Sequence, residues 1–139
     1  PEATWPNERC YAMRLLSQSY SEVQNYAEAL KWIRLACAEA PNTREPWVEL
    51  AIFTYMHSMW NESYAAAMTA LEITDKAAVY TMDPSVWTEK PYDFASIAAW
   101  KIGLKDKAIE LCEKALEFNP SDSRLLANLE SMKKEIDHG

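Results

Sequence analysis

Apolar residues recur along the chain at steps of three and four positions. Met13, Leu16 and Tyr20 follow this spacing, and Ala29 and Ile33 begin a second series of the same kind. Such spacing places the apolar side chains on one face of an α-helix. The pattern predicts seven helices, at residues 7–22, 26–39, 44–58, 61–74, 91–102, 105–118 and 122–136.

The helical pattern itself repeats. Segments 29–41 and 108–120 both have a small residue, Ala seven positions later and Pro five positions after that. Ala70 lies 34 residues after Ala36, and Ala115 lies 45 residues after Ala70. A period of about 34 residues with this framework is that of the tetratricopeptide repeat. We therefore predict one domain, 1–139, with repeats at about 10–42, 44–75 and 89–120, an insertion at 76–90 and a capping helix at 122–136.

These elements predict an all-α fold, a right-handed α-solenoid of three tetratricopeptide-type helix hairpins plus the capping helix. Each hairpin leaves an apolar face bare, so neighbouring hairpins must stack. Pro46 fits only the first turn of a helix that begins near Thr43, and Ser121 or Asp122 can cap the last helix. Small residues that let the two helices of a hairpin approach closely are expected at Ser17 and Ala29, Ala51 and Ser63, and Ser96 and Ala108.

Charge and composition exclude several classes of function. The net charge of −7 argues against a nucleic-acid partner, and no apolar window is long enough to span a membrane. Three cysteines without Cys-x-x-Cys spacing predict neither a disulfide framework nor a zinc site. We interpret them as reduced thiols of a cytoplasmic protein. The start of the chain has neither a signal peptide nor an initiating Met, so a fragment or a processed chain is expected.

Two segments carry a narrower resemblance. Arg44-Glu45-Pro46-Trp47 and Pro91-Tyr92-Asp93, with Trp60, Tyr80 and Trp87 around them, resemble the tetratricopeptide region that follows the catalytic domain in some bacterial and phage family 2 glycosyltransferases. The resemblance implies an accessory module for dimerisation or acceptor positioning. Such transferases hold a divalent metal with an Asp-x-Asp motif, which this chain lacks, and two glycines cannot form a phosphate loop. We predict no catalytic, cofactor-binding or metal-binding residue, and no enzyme activity.

The first helix of each hairpin is expected to line a concave face. Its apolar residues would suit an extended peptide or a helix, with Trp100 and Tyr55 as anchors and Arg14, Lys90 and Lys101 setting the register. Alternatively, the insertion 76–90 or another subunit covers this apolar strip. The predicted partner-binding residues are Tyr11, Arg14, Gln18, Glu45, Val48, Ile52, Tyr55, Lys90, Asp93, Ile97, Trp100 and Lys101.

One known type of groove can be tested on the sequence. Repeats that bind the C-terminal carboxylate of a chaperone use Lys, Asn and Arg side chains at set inward positions. The matching positions hold Arg14, Gln18, Glu49, Lys90 and Phe94; Glu49 would repel a carboxylate and Phe94 replaces a cation, which disfavours that ligand. The sequence thus predicts a protein or peptide partner, or a homodimer, and neither nucleic acid nor membrane. The alternative to the glycosyltransferase-associated module is a free-standing adaptor.

Overall fold

A computed structural model describes residues 5–75 and 83–138 of the chain. The all-α fold class and the seven predicted helices are confirmed, with helix ends that differ from the prediction by at most two residues. A short 3-10 helix, Pro84–Trp87, precedes the fifth α-helix. The α-helices are α1 (Trp5–Glu22), α2 (Tyr26–Glu39), α3 (Arg44–Met56), α4 (Trp60–Glu72), α5 (Lys90–Lys101), α6 (Lys105–Phe118) and α7 (Ser123–His138).

Helices α1 and α2, α3 and α4, and α5 and α6 form three hairpins, and α7 packs against α6. The small residues predicted between the paired helices are all buried. In every hairpin, one serine hydroxyl donates to the backbone carbonyl of the small residue opposite, which holds the two helices at close distance. The direction of this bond is reversed in the second hairpin, because Ser and Ala have exchanged places. The three bonds run from Ser17 Oγ to Ala29 O (2.7 Å), from Ser63 Oγ to Ala51 O (2.8 Å) and from Ser96 Oγ to Ala108 O (2.7 Å).

The turn inside each hairpin has the same backbone conformation. Gln24, Ser58 and Gly103 have φ angles of 62°, 59° and 89°. Ser58 lies 34 residues after Gln24, and Gly103 lies 45 residues after Ser58, so the three occupy equivalent positions. A left-handed residue two positions after the last helical residue allows the following N–H groups to satisfy the carbonyls of the last turn. The repeat is therefore preserved in backbone geometry even where the residue type is not.

We expect Gly103→Ala to lower the free energy of unfolding by about 1 kcal/mol, because a Cβ disfavours the left-handed conformation. An added Cβ would meet no atom within 4 Å, so the cost arises from the backbone and not from a clash. Urea unfolding followed by circular dichroism measures the change. Gly103→Asn should cost less, since Asn tolerates this conformation better; an equal loss for Asn and Ala would contradict the explanation.

Helices α3 and α7 begin at the residues that the sequence predicted for their first turns and caps. Thr43 is the N-cap residue of α3, and Pro46 lies in its first turn. Of the two predicted caps for α7, Asp122 is used: its Oδ1 accepts from Arg124 N at 3.0 Å and from Leu125 N at 3.1 Å. The cap directs Leu125 into the core, where it is 1% exposed. Helix α7 thereby closes this end of the helical stack.

Candidate binding face

The concave face, formed by α1, α3 and α5 with α7 beside α5, contains two clefts. The first has a volume of about 430 Å³, lies between α1, α2 and α3, and is lined by residues that include Gln18, Glu49 and Ile52. The second has a volume of about 280 Å³, lies between α5 and α7, and is lined by residues that include Ile97 and Trp100. The predicted residues Gln18 and Ile52 thus line a different cavity from Ile97 and Trp100.

An ion pair neutralises the wall of the first cleft. Arg14 Nη2 and Nε lie 2.6 and 2.9 Å from Glu49 Oε1, and the side chains are only 12% and 24% exposed. Burial acts to lower the pKa of Arg14, but its hydrogen bond with Glu49 and the nearby negative charges raise it. Because its guanidinium is already paired, Arg14 offers no free charge to a ligand.

Two predicted contact residues are not available on this face, and the prediction for them is wrong. Glu45 and Val48 are each only 2% exposed. Glu45 Oε2 accepts from Asp83 N at 3.2 Å, and Val48 packs in one cluster with Val86. Both residues belong to the first turns of α3, which lie beneath the segment 83–90. Glu45 Oε1 is buried without a hydrogen-bond partner among the described residues.

Arg44 fastens the segment 83–90 to the stack. Its Nε donates to the carbonyl of Ile73 at 2.7 Å, and its Nη1 donates to the carbonyl of Val86 at 2.9 Å. Its guanidinium also lies 4.1 Å from the centroid of the Trp87 ring. Burial lowers the pKa of Arg44, which is 6% exposed. Segment 83–90 of the insertion thus packs against α3 and covers Val48 of the apolar strip, whereas residues 76–82 lie outside the described part.

Asp83 shapes the start of that segment. Its Oδ1 accepts from Ser85 Oγ at 2.7 Å and from Ser85 N at 3.0 Å, which caps the 3-10 helix. The hydrogen bonds from Ser85 hold the pKa of the Asp83 carboxyl below its usual value. The segment is therefore ordered by its own cap as well as by Arg44.

Aromatic rings pack around Tyr55 where α3, α4 and α5 meet. Tyr55 meets the ring of Phe94 edge-on at 4.9 Å and that of Trp60 at 5.4 Å. Lys101 Nζ lies 5.4 Å from the centroid of the Trp60 ring. Tyr55 is consequently half-buried by its own neighbours, so it supports the face more than it protrudes from it.

The second cleft is lined both by residues that were predicted from the sequence and by residues that were not. Ile97 and Trp100 of α5 form its apolar side, and Lys105 Nζ lies 5.1 Å from the centroid of the Trp100 ring. Helix α7 contributes the polar residues Asn128, Ser131 and Glu135 opposite. Their spacing of three and four residues places them on one side of α7.

The remaining predicted residues differ in exposure and pairing. Tyr11, Gln18, Lys90 and Lys101 are exposed, whereas Asp93 is paired with Arg124 of α7. The structure therefore brings Gln18 and Ile52 together at the first cleft, and Ile97 and Trp100 at the second.

The three thiols are not arranged for chemistry. Cys10, Cys37 and Cys112 are buried and unpaired, and burial raises the pKa of Cys10 to about 11 and also raises the pKa of Cys37 and Cys112. A thiol with a raised pKa is a poor nucleophile at neutral pH. Within the described residues, no three His, Cys, Asp or Glu side chains are placed to hold a metal ion, and no helix is long and apolar enough to cross a membrane.

Comparison with known proteins identifies the class of fold. Residues 92–122 match the tetratricopeptide repeat family model, whereas no curated protein sequence matches the chain. The first tetratricopeptide domain of Spaghetti (RPAP3), bound to the HSP90 peptide SRMEEVD, has a TM-score of 0.77 at 12% identity, covering 94% of this chain and 95% of that one. The fold is thus an all-α tetratricopeptide-type solenoid.

Two further structures support the same assignment. The N-terminal domain of stress-induced protein-1 from C. elegans has a TM-score of 0.76 at 14% identity, covering 93% of this chain and 98% of that one. The second tetratricopeptide domain of human RPAP3, in complex with the HSP70 peptide SGPTIEEVD, has a TM-score of 0.74 at 14% identity, covering 92% and 98%. At such low identity the similarity shows the fold, and function must be argued from the side chains.

Proposed function

We propose that this chain is a protein-interaction module that binds a polypeptide segment on its concave face, mainly in the cleft between α5 and α7. The observation that carries the proposal is that cleft: an apolar side of Ile97 and Trp100 faces polar residues of α7 across about 280 Å³. A half-buried tryptophan in a cavity with a polar rim is the usual anchor of a peptide contact. The first cleft, with Ile52, offers a second contact further along the same face.

Selection of peptides from a random library displayed on phage tests this proposal. We expect Trp100→Ala to weaken the binding of a selected peptide at least about tenfold, because an aromatic anchor contributes most of such a contact. Trp32→Ala is the matched control: Trp32 is also half-buried with a lysine Nζ near its ring, at 5.3 Å, but lies on α2, outside the concave face. Equal losses for both variants, or none for Trp100→Ala, would contradict the proposal.

The chemistry of the peptide should differ from that of two of the similar structures. The peptides bound there, SRMEEVD and SGPTIEEVD, end in two glutamates, a valine and an aspartate. Here the guanidinium of Arg14 is already paired with the carboxylate of Glu49, and the ring of Phe94 packs against that of Tyr55. We infer that the ligand is held by apolar contacts and not by clamping of a terminal carboxylate.

We therefore expect no measurable binding of SRMEEVD by fluorescence anisotropy at concentrations where the selected peptide saturates. Replacing Glu49 by Gln should improve binding of SRMEEVD, because it frees Arg14 and removes a like charge. A micromolar dissociation constant for SRMEEVD with the unmodified chain would contradict this assignment.

The identity of the larger assembly is a narrower proposal. An accessory role beside a glycosyltransferase, in dimerisation or acceptor positioning, rests on the sequence resemblance of residues 44–47 and 91–93 alone. The adaptor alternative requires only the concave face. Three buried, unpaired thiols support placing the module in a reducing compartment such as the cytoplasm.

A further inference from the structure

A second apolar surface lies on α1, away from the concave face. Ala12, Leu16 and Ser19 are exposed on this helix, and Val23, the residue directly after it, is exposed as well. Leu16 and Val23 are 40% and 73% exposed. They succeed one another at steps of four, three and four residues, so they form a single stripe along the helix. We name these four residues the α1 stripe.

The repeat shows what such a stripe does elsewhere in the molecule. The equivalent residues of α3 and α5 face the second helix of the preceding hairpin: Leu50, Ala95 and Ala98 are buried, and the His57 ring lies 4.6 Å from that of Tyr26 on α2. These positions therefore form the contact between successive hairpins. In the second hairpin, 34 residues further along the chain, the residues equivalent to the α1 stripe are Pro46, Leu50, Phe53 and His57. In the third hairpin, another 45 residues along, they are Pro91, Ala95, Ala98 and Ile102.

The two ends of the stack are not alike. At the α7 end, ion pairs such as Lys133 with Glu113 and Lys134 with Glu130 lie on the surface, as expected for a helix that seals a solenoid against water. The α1 stripe carries no charged residue. No described residue covers it, although it has the same register as the buried contacts within the stack.

The α1 stripe is complementary to itself. When two copies of α1 pack antiparallel about a two-fold axis midway between Leu16 and Ser19, Ala12 lies opposite Val23 of the second copy, and Leu16 lies opposite Ser19 of the second copy. Each large side chain then meets a small one, as in close helix packing. A two-fold contact requires such self-complementarity of one surface patch.

We propose that the α1 stripe is a homodimer interface in which α1 packs antiparallel against α1 of a second copy. The interface uses the same repeat positions through which α3 and α5 pack against the preceding hairpin. Because one helix of 18 residues is only about 27 Å long, the contact area is small and the dimer should dissociate on dilution.

Light scattering coupled to chromatography, from micromolar to millimolar concentration, tests this inference. We expect the mass to rise from 15.9 kDa towards twice that value, and Leu16→Glu to remain a monomer throughout. Leu126→Glu is the matched control, because Leu126 is 46% exposed on α7, outside the stripe. Circular dichroism should show equal helix content for both variants. A monomer at every concentration, or equal behaviour of the two variants, would overturn the proposal.

Cross-linking tests the antiparallel register directly. Residues 12 and 23 of one helix are about 16 Å apart along its axis, too far for a disulfide within one chain. The double variant Ala12→Cys/Val23→Cys should therefore form covalent dimers on oxidation, whereas neither single variant should. Efficient dimers of either single variant would show a different register, and no dimer from the double variant would contradict the antiparallel contact.

Discussion

Arg44→Ala should lower the free energy of unfolding by about 3 kcal/mol, because removal of a buried charged donor leaves its acceptors unsatisfied. The carbonyls of Ile73 and Val86 would both lose their hydrogen bonds, and the Trp87 ring would lose its stacked guanidinium. For a chain of this size the melting temperature should fall by roughly 10 °C. Thermal unfolding measured by circular dichroism gives the change directly.

Two comparisons make the Arg44 experiment specific. Arg34→Ala removes an exposed guanidinium that pairs with Glu62, and it should cost less than about 1 kcal/mol. Arg44→Lys keeps the charge but lacks the planar fork that reaches two carbonyls, so most of the loss should remain. Amide exchange at Val86 should also accelerate in Arg44→Ala. Equal stability of the Arg44 and Arg34 variants would show that Arg44 does not hold segment 83–90.

Leu125→Ala should lower the free energy of unfolding by about 3 kcal/mol, because it opens a cavity beneath the capping helix. Leu125 is 1% exposed, and its carbonyl accepts from Cys112 Sγ on α6 at 3.4 Å. Because α7 also forms one side of the second cleft, a loosened α7 should weaken binding of a selected peptide as well. Urea unfolding and peptide titration measure the two effects.

The neighbouring leucine provides the control for this variant. Leu126 is on the same helix but 46% exposed, so Leu126→Ala should cost less than about 1 kcal/mol. Both variants exchange Leu for Ala in α7, so they change helix propensity equally. The difference between their free energies of unfolding therefore measures the effect of burial. If the two were equally destabilising, the packing of α7 against α6 would be contradicted.

The helices could be predicted because their signals are local. Periodic apolar residues, Asp122 as a cap and Pro46 in a first turn each act within a few residues of the element they define. The small residues between paired helices were also predictable, since their spacing follows from the 34-residue period. Even the reversed serine bond of the second hairpin follows from the exchange of Ala51 and Ser63.

The availability of the concave residues could not be predicted in the same way. Glu45 and Val48 occupy the helix positions that point to the open face, but segment 83–90 covers them. Asp83, which donates to Glu45, lies 38 residues further along the chain. The pairing of Arg14 with Glu49 and of Asp93 with Arg124 likewise depends on how the hairpins stack. A periodic pattern indicates which side of a helix a residue occupies, and only the tertiary structure shows what lies above it.

The segments behind the glycosyltransferase resemblance acquire a structural explanation. Arg44 and Glu45 contact segment 83–90, and Trp47 Nε1 donates to the Pro41 carbonyl at 3.0 Å in the turn before α3. Residues that anchor an insertion between the second and third hairpins would be needed in any chain with this insertion. Arg44, Glu45 and Trp47 thus have structural roles in this chain, and a partner shared with a glycosyltransferase stays a separate hypothesis.

The most direct test of the proposed binding face is a titration of the isotope-labelled protein with a selected peptide, followed by nuclear magnetic resonance. The indole N–H signal of Trp100, assigned with Trp100→Phe, should shift with peptide concentration. The signal of Trp47 should stay in place, because its N–H is bonded to Pro41. This result would place the peptide in the cleft between α5 and α7. A peptide that binds while the Trp100 signal does not move would contradict the account.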